Sequence, residues 1–364
     1  MNDGLAARIA AGDRLALAKG LTLVERGVPE GVALACELFP RTGHAYRVGI
    51  TGPPGVGKST LAGALVRLLR KRNERIGVIA VDPSSAFTGG ALLGDRVRMQ
   101  EFAPDADVFI RSMATRGVLG GLARATMDSA DLMDAYGADW ILLETAGVGQ
   151  SEIDVAEAAD TTVVVVSPES GDGIQALKAG LAEIADVFVV NKADREGAER
   201  TERDLLAAQE FHADPARRSP PVFRTSAERN EGIEALLEGI VAHRSRMEGG
   251  TALRERRRSS LAAHVKRIVV DRVREMFGTN PALARRFEEC LSRVESRGVG
   301  PYEAANELLE LLFETNAPSR GEGNGPLSLP TAGTAPARQG PPRSARGKLG
   351  QRPPPPAEGG ARSR

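Results

Sequence analysis

A glycine-rich segment that begins at Gly52 has the residue types and the spacing of a phosphate-binding loop. It fits the pattern G-x-x-x-x-G-K-S and lies between an apolar run that ends at Ile50 and a helical pattern that begins at Thr60. In this pattern the glycines let backbone N–H groups face the phosphates, the lysine supplies a positive charge, and the hydroxyl binds Mg²⁺. We therefore expect a nucleotide to bind at this loop, with Lys58 also acting in catalysis. The predicted contacts are Gly52, Pro53, Pro54, Gly55, Val56, Gly57, Lys58, Ser59 and Thr60.

A carboxylate follows the apolar run 140–143, at the start of the sequence Glu-Thr-Ala-Gly. A carboxylate at a strand end beside a phosphate loop holds Mg²⁺ and its water ligands, and the N–H of the glycine can bond the γ-phosphate. Most GTPases carry aspartate at this position. Read alone, the pattern indicates a solvated glutamate, but its place between two other nucleotide motifs favours the metal. Glu144 is thus a predicted catalytic and metal-binding residue, and Gly147 a predicted nucleotide contact.

The sequence Asn-Lys-Ala-Asp follows the apolar run 187–190 and matches the pattern N-K-x-D. The Asp194 carboxylate can accept from both the ring N–H and the exocyclic amine of guanine, a pairing that adenine cannot offer. Asn191 is expected to brace the loop, and the Lys192 stem to cover the base. A short Ser-Ala loop after the run 222–223 is expected to meet the guanine carbonyl through Ser226, Ala227 and Glu228. Three ordered motifs predict GTP and GDP as ligands and GTP hydrolysis as the activity.

Polar residues between the first two motifs are weaker candidates for Mg²⁺ ligands and for a phosphate contact. Asp82 ends an apolar run, and Asp95 and Arg98 lie in a second polar cluster. Mg²⁺ prefers one or two carboxylates together with phosphate oxygens and waters. The alternatives are a turn cap for Asp82 and a surface salt bridge for Asp95, and the spacing alone does not decide.

A polar set further along the chain has helical spacing. Asp172, Gln175 and Lys178 lie at three-residue steps, which share one face at the start of a helix. Spacing alone favours an ordinary solvated helix face for these three residues.

The pattern of the chain predicts an α/β fold, a P-loop NTPase with a mostly parallel sheet flanked by helices. Short apolar runs alternate with amphipathic stretches, which is typical of βαβ units. Four segments follow from the shifts in composition. They are an N-terminal helical extension over 1–45, a P-loop GTPase domain over 46–245, a C-terminal helical arm over 246–317, and a disordered tail over 318–364 that is rich in Pro, Gly and Arg.

The arm carries an apolar helical stripe that needs a surface to cover it. The stripe comprises Leu261, Val265, Ile268, Val269, Val273 and Met276. Docking on the parent domain and dimerisation both satisfy it, and we favour a homodimer.

Composition restricts the remaining classes of function. The 48 basic and 48 acidic residues give a formal net charge of zero, which argues against a broad nucleic-acid-binding face. Only Cys36 and Cys290 occur, in no paired motif, so we expect a reducing compartment. No apolar stretch of about 18 residues and no signal-peptide pattern is present, so we expect a cytoplasmic protein without membrane contact.

The ordered motifs together closely resemble those of the MeaB/ArgK family, over about residues 5–315. This family includes the methylmalonic aciduria type A protein and the GTPase domain of fused isobutyryl-CoA mutases. The motifs that carry the resemblance are G-P-P-G-V-G-K-S-T, V-D-P-S-S, G-G-A-L-L-G-D-R-V-R-M, E-T-A-G-V-G-Q-S-E, D-G-I-Q-A-L-K-A-G and N-K-A-D.

The resemblance implies a GTPase chaperone of an adenosylcobalamin-dependent acyl-CoA mutase such as methylmalonyl-CoA mutase. Such proteins gate cofactor loading and protect or reactivate the mutase, typically as dimers that use a helical arm; an adenosyltransferase is a further candidate partner. The resemblance also implies that Arg98 lies near GTP and that 172–178 is an additional switch loop, with Lys178 in a catalytic role. The Mg²⁺ ligands implied are Ser59, Asp82, Asp95 and Glu144.

Two other functions remain as alternatives. A metal-insertion GTPase for nickel shares the glutamate of the second motif but usually carries Cys/His clusters, whereas here the four histidines are scattered. A protein kinase of transport components is the other. Val148 occupies the position where small GTPases carry a catalytic glutamine, and Gln150 is displaced. We therefore expect slow hydrolysis that a partner accelerates.

Overall fold

The strands form a parallel sheet in which the order along the sheet differs from the order along the chain. A computed structural model describes residues 4–82, 99–114, 121–145, 151–168, 181–211 and 219–315. Seven strands lie in the order β3-β2-β4-β1-β5-β6-β7, and every neighbouring pair is parallel. The strands are β1 (Tyr46–Thr51), β2 (Ile76–Asp82), β3 (Val108–Ala114), β4 (Trp140–Thr145), β5 (Thr161–Val166), β6 (Val187–Val190) and β7 (Val222–Arg224).

Continuous apolar runs form the central strands because both faces of the sheet are covered. Every residue of β4, β5 and β6 is buried, as expected for a parallel sheet with helices on both sides. The fold class predicted from the sequence is confirmed. The described helices are α1 (Leu5–Ala10), α2 (Arg14–Glu25), α3 (Pro29–Leu38), α4 (Lys58–Lys71), α5 (Gly121–Tyr136), α6 (Ser151–Ala158), α7 (Leu181–Ile184), α8 (Ala198–Phe211), α9 (Ile233–Glu248), α10 (Ala252–Thr279), α11 (Pro281–Glu295) and α12 (Pro301–Thr315).

Two layers of helices enclose the sheet. On one face α4 and α9 pack over alternate strand residues such as Val48, Leu142 and Val163. On the other face the N-terminal helices α1 to α3 pack with α5 and α6 over Ile141 and Leu143. Helix α8 covers the neighbouring strands β5 and β6 on that side. The N-terminal helices therefore help to bury a face of the sheet.

The first arm helix, α10, binds the parent domain through its polar side. Arg256 pairs with Asp186 at 2.7 Å, and Arg257 pairs with Asp160 at 2.7 Å. Half of the predicted apolar stripe faces solvent: Leu261 is exposed, Val265 is 58% exposed and Val269 is 57% exposed. The other three stripe residues, Ile268, Val273 and Met276, are half-buried, so the described part of the chain covers only part of the stripe.

The chain divides into two compact units, Met1–Ala284 and Arg285–Arg364. In the second unit Glu307 on α12 accepts hydrogen bonds from Arg286 and Arg293 on α11, at 3.2 and 2.8 Å. Among the residues that the structure describes, none of the helices combines the length and apolar character needed to cross a membrane.

Candidate nucleotide-binding site

The phosphate loop connects β1 to α4 at the carboxyl edge of the sheet and packs against two other parts of it. At Gly52, with φ of 135°, an added Cβ would lie 2.0 Å from the carbonyl oxygen of Val165. At Gly57, with φ of 94°, it would lie 2.4 Å from the side-chain amide nitrogen of Asn191. Both positions therefore need glycine, for the backbone conformation and for the close approach of the neighbouring strands.

Lys58 is buried at the first position of α4 and folds back over the loop. Its Nζ donates to the carbonyl oxygens of Gly52 and Pro53, at 2.8 Å each. These bonds fix the ammonium group above the loop backbone. The cradle fits a phosphate group, because a fixed positive charge and a helix N-terminus meet there.

Ser59 and Glu144 lie side by side although 85 positions separate them in the chain. Ile50 at the end of β1 pairs with Glu144 in β4, so the sheet register brings the carboxylate next to the loop. The Ser59 Oγ donates to the Glu144 Oε1 at 2.5 Å, and both residues are buried. A hydroxyl and a carboxylate in contact are hard oxygen donors of the kind that Mg²⁺ prefers, so the pair fits that ion.

Several predicted site residues lie outside the described part of the chain. Asp82 ends β2 at the same edge of the sheet, but its side chain is not described. Among the described side chains, no group of three or more His, Cys, Asp or Glu is arranged to hold a metal ion. The predicted site residues that lie outside the described ranges are Asp95, Arg98, Gly147, Asp172, Gln175 and Lys178.

Asn191 connects three loops at the base of the site. Its Nδ2 donates to the carbonyl oxygen of Val56 in the phosphate loop, at 2.8 Å. Its Oδ1 accepts from the Thr225 hydroxyl at 3.0 Å and from the N–H of Ala227 at 3.1 Å. One buried amide therefore ties the phosphate loop to the Ser-Ala loop. The sequence indicated the bracing role of Asn191 but gave no role to Thr225, because a threonine beside a Ser-Ala pair carries no pattern of its own.

The carboxylate predicted to bind guanine lies at the end of the same segment, and the side chain of Asp194 is 18% exposed. The neighbouring Ser226 side chain, together with Arg229 and Lys192, holds the pKa of Asp194 below its ordinary value. Arg229 lies 3.3 Å from the Asp194 Oδ2. Lys192 adopts a φ of 56°. The carboxylate is thus kept ionised, as an acceptor for two donors requires.

The Ser-Ala loop is closed by a pair of backbone bonds. Ser226 N–H donates to the Glu231 carbonyl oxygen at 3.0 Å, and Glu231 N–H donates back at 3.1 Å. Ala227 is buried, while Glu228 is exposed. The structure thus gathers Lys58, Ser59, Glu144, Asn191, Asp194 and the Ser-Ala loop at the carboxyl edge of one sheet.

Comparison with known proteins assigns this arrangement to a family. Residues 17–282 match the family model described as methylmalonyl Co-A mutase-associated GTPase MeaB. The chain belongs to the MeaB family. It is 48% identical over 315 residues to a putative GTPase of Pyrococcus abyssi, covering 85% of this chain and 96% of that protein. It is 34% identical over 329 residues to the mitochondrial methylmalonic aciduria type A homolog of Mus musculus, covering 85% of this chain and 79% of that protein.

A solved structure agrees with the fold. The crystal structure of an LAO/AO transport system kinase superimposes with a TM-score of 0.65 at 26% identity, covering 86% of this chain and 98% of that one. The family resemblance predicted from the motifs is confirmed. The MeaB-family chain is a P-loop GTPase that binds guanine nucleotides and hydrolyses GTP.

Proposed function

We propose that this GTPase is a chaperone that gates cofactor loading into an adenosylcobalamin-dependent acyl-CoA mutase and protects or reactivates that enzyme. The observation that carries the proposal is the match of residues 17–282 to a family whose description names association with methylmalonyl-CoA mutase. The identity with the mouse methylmalonic aciduria type A homolog supports the same client class. Cytoplasmic localisation and an adenosyltransferase as a second partner belong to the same proposal.

In this proposal each motif at the carboxyl edge has one task. The phosphate loop residues Gly52 to Thr60 wrap the phosphates, and Lys58 places its ammonium group against their negative charge. The base is held by Asp194, with Asn191 and Lys192 supporting it and with Ser226, Ala227 and Glu228 closing the far side. Arg98 and Gly147 contact the phosphates. Lys178 and the polar set around it respond to the mutase.

Mg²⁺ is the expected metal, held by Ser59, Asp82, Asp95 and Glu144. When bound, Mg²⁺ neutralises the charge that develops on the phosphate oxygens during hydrolysis. The hydroxyl of Ser59 and the carboxylate of Glu144 lie next to each other, so both could be neighbouring ligands of the same ion.

The second motif lacks the catalytic glutamine of small GTPases, and this supports control of GTP hydrolysis by a partner. Val148 stands where small GTPases place the glutamine that orients the attacking water. The chain alone then hydrolyses GTP slowly, and the mutase supplies or orders the missing group. A supplied cation can increase the rate by about 10³- to 10⁵-fold.

The test measures GTP turnover with and without a purified adenosylcobalamin-dependent mutase, for the wild type and for Lys178→Ala. We expect stimulation in the wild type that largely disappears in the variant. Stimulation by a nickel-enzyme apoprotein and by no acyl-CoA mutase would support metal insertion instead. Transfer of the γ-phosphate to a transport protein would support the alternative function, a protein kinase of transport components, which is the activity in the name of the LAO/AO transport system kinase.

We propose further that the protein is a homodimer in which the arm of one copy covers the arm of the other. The support is the orientation of α10: its arginines bind the parent domain, while Leu261, Val265, Val269 and Val270 face solvent. A row of exposed large apolar side chains on one helix is typical of a surface that another protein covers.

Light scattering tests the dimer with Val265→Glu and Val269→Glu combined. We expect the double variant to be a monomer that still binds GDP, because the stripe lies away from the nucleotide loops. The matched control is Lys266→Glu, which changes charge at an exposed position of the same helix. A double variant with the mass of the wild-type assembly would contradict the arm interface.

A further inference from the structure

Helix α6 lies between the nucleotide site and the arm helix α10, and it contacts β1 very closely. An added Cβ at Gly49 in β1 would lie 2.9 Å from the Cγ1 of Val155 in α6 and 3.0 Å from the Cβ of Ala159, the residue that follows α6. Val155 is buried in this contact. Because the packing leaves so little space, a shift of α6 along the strand changes contacts with the sheet itself.

The amino end of α6 is directed towards the phosphate loop. Glu152 precedes Val155 by three residues and therefore shares its face, one turn nearer the carboxyl edge of the sheet. Partial burial raises the pKa of the Glu152 carboxyl, and the positive charge of Lys58 opposes that rise. In the chain, α6 begins directly after the segment 146–150 that contains Gly147. Helix α6 is thus the element that follows the second nucleotide motif.

Another side of α6 is held by a single arginine of the arm. Arg267 of α10 donates through Nη2 to the Asp154 Oδ1 at 2.8 Å and to the Glu157 Oε2 at 2.9 Å. The side chains of Arg267 and Asp154 are 20% and 21% exposed, so these bonds are only partly screened by solvent. One guanidinium therefore bridges two carboxylates that lie three residues apart on the same face of α6.

We propose that Arg267 is a positioning residue for GTP hydrolysis: it fixes α6, which packs against the strand β1 that leads into the phosphate loop, so that the arm and the nucleotide site are coupled. The proposal rests on the GTPase activity, and it does not depend on the mutase. Arg267 itself touches neither the nucleotide cradle nor the Ser59–Glu144 pair among the described contacts.

Electrostatics gives the physical reason. Asp154 and Glu157 are three residues apart on one helix, where like charges repel. Burial raises the pKa of Asp154, Arg267 opposes that rise, and Glu157 adds to it. Without the guanidinium, the half-buried carboxylate of Asp154 and the exposed carboxylate of Glu157 face each other without the cation that bridges them, and α6 relieves this by moving. A shift of α6 on exchange of the nucleotide moves the two carboxylates that Arg267 contacts, so the bound nucleotide should also change the stability of α10 near Arg267.

The experiment measures kcat and KM for GTP and the dissociation constant of GDP, without any partner protein, in the wild type, Arg267→Ala and Arg267→Lys. We expect Arg267→Ala to lower kcat by about 3- to 30-fold, with the GDP affinity close to that of the wild type. Arg267→Lys keeps a cation near both carboxylates and restores most of kcat. The matched control is Arg272→Ala on the same helix, whose side chain is 59% exposed and pairs with Glu275 of that helix.

Two further measurements separate positioning from general loss of structure. Combining Arg267→Ala with Asp154→Asn and Glu157→Gln should recover part of kcat, because the uncompensated charges are gone. In the wild type, the rate of backbone hydrogen exchange in α10 should differ between the protein bound to GDP and the protein bound to a non-hydrolysable GTP analogue. In Arg267→Ala the two rates should be the same. The proposal would be overturned if Arg267→Ala and Arg272→Ala had equal kcat values and if hydrogen exchange in α10 of the wild type were the same with either nucleotide. A mutase that fails to stimulate the wild type would contradict only the chaperone function.

Discussion

The two edges of the sheet use charged residues in opposite ways. At the carboxyl edge the phosphate loop is open towards the described residues: among them, an added Cβ at Gly55 would meet nothing within 4 Å. At the amino edge the carboxylates are enclosed by donors. Asp134 accepts from the N–H groups of Gly43, His44 and Ala45, at distances between 2.7 and 3.2 Å.

The arm extends this enclosure at the amino edge. Asp160 accepts two bonds from Arg257, at 2.8 and 2.7 Å, and one from the N–H of Arg47 at 3.0 Å. Arg257 also donates to the carbonyl oxygens of Gly43 and Ala45. A cleft of about 80 Å³ opens beside these residues, but its charged side chains already have partners: Arg47 pairs with Asp131, Arg257 with Asp160, and Arg256 with Asp186 outside the cleft.

The difference follows from the geometry of parallel sheets. The carboxyl ends of the strands lead into short loops and helix N-termini, which is where α/β proteins bind ligands. The amino ends receive the chain as it returns from the helices, so buried charges there find partners within the protein. In this GTPase one edge therefore carries the proposed nucleotide site, and at the other edge Arg257 attaches α10. Changes at the two edges should accordingly have different effects.

The largest expected effect is at the Ser59–Glu144 pair. Ser59→Ala removes a proposed Mg²⁺ ligand, and we expect kcat for GTP to fall at least about 100-fold, because an electrostatic contact of the transition state is lost. GDP binding without Mg²⁺ should change little. Steady-state phosphate release across a Mg²⁺ titration measures this, with exposed Ser245→Ala as the control. Wild-type turnover by Ser59→Ala at low Mg²⁺ would exclude the proposed metal site.

A smaller effect, on nucleotide affinity, is expected at Asp194, the residue proposed to bind the guanine base. Asp194→Asn replaces two acceptor positions with one acceptor and one donor. Hydrogen bonds to a charged group contribute about 1.5–3 kcal/mol each, so we expect GTP affinity to fall about 10- to 100-fold. Affinity for xanthosine triphosphate should rise. Equilibrium titrations with both nucleotides measure the shift, and Asp204→Asn on α8 is the matched control. Unchanged GTP affinity would remove Asp194 from the base site.

The smallest effect on the nucleotide is expected at the amino edge. Arg257→Ala leaves the nearly inaccessible Asp160 side chain without its guanidinium, and we expect the unfolding free energy to fall by about 2–3 kcal/mol. GTP turnover per folded molecule should stay at the wild-type level. Denaturant unfolding measures the first quantity, with the exposed Arg254→Ala as the control. A variant as stable as the wild type would mean that Arg257 does not hold the arm.

The sequence predicted the nucleotide edge better than the arm. Fixed motifs such as N-K-x-D name their residues directly, and continuous apolar runs give the strands that position them. The sequence did not indicate which face of α10 binds the domain. An arginine on a helix is normally solvated, and its partners Asp160 and Asp186 lie about 70 to 100 positions away in the chain, at the amino ends of strands. Long-range charge pairing has no local pattern, so Arg257 and Arg267 were not among the predicted functional residues.

The most direct test of the whole account measures GTP turnover and thermal stability together in Glu144→Ala and Arg257→Ala. We predict that Glu144→Ala loses turnover while its melting temperature stays near that of the wild type. Arg257→Ala should melt at a lower temperature and keep its turnover per folded molecule. Loss of turnover to the same extent in both variants, or full turnover in Glu144→Ala, would contradict the proposal that one edge of the sheet carries the nucleotide site and the other attaches the arm.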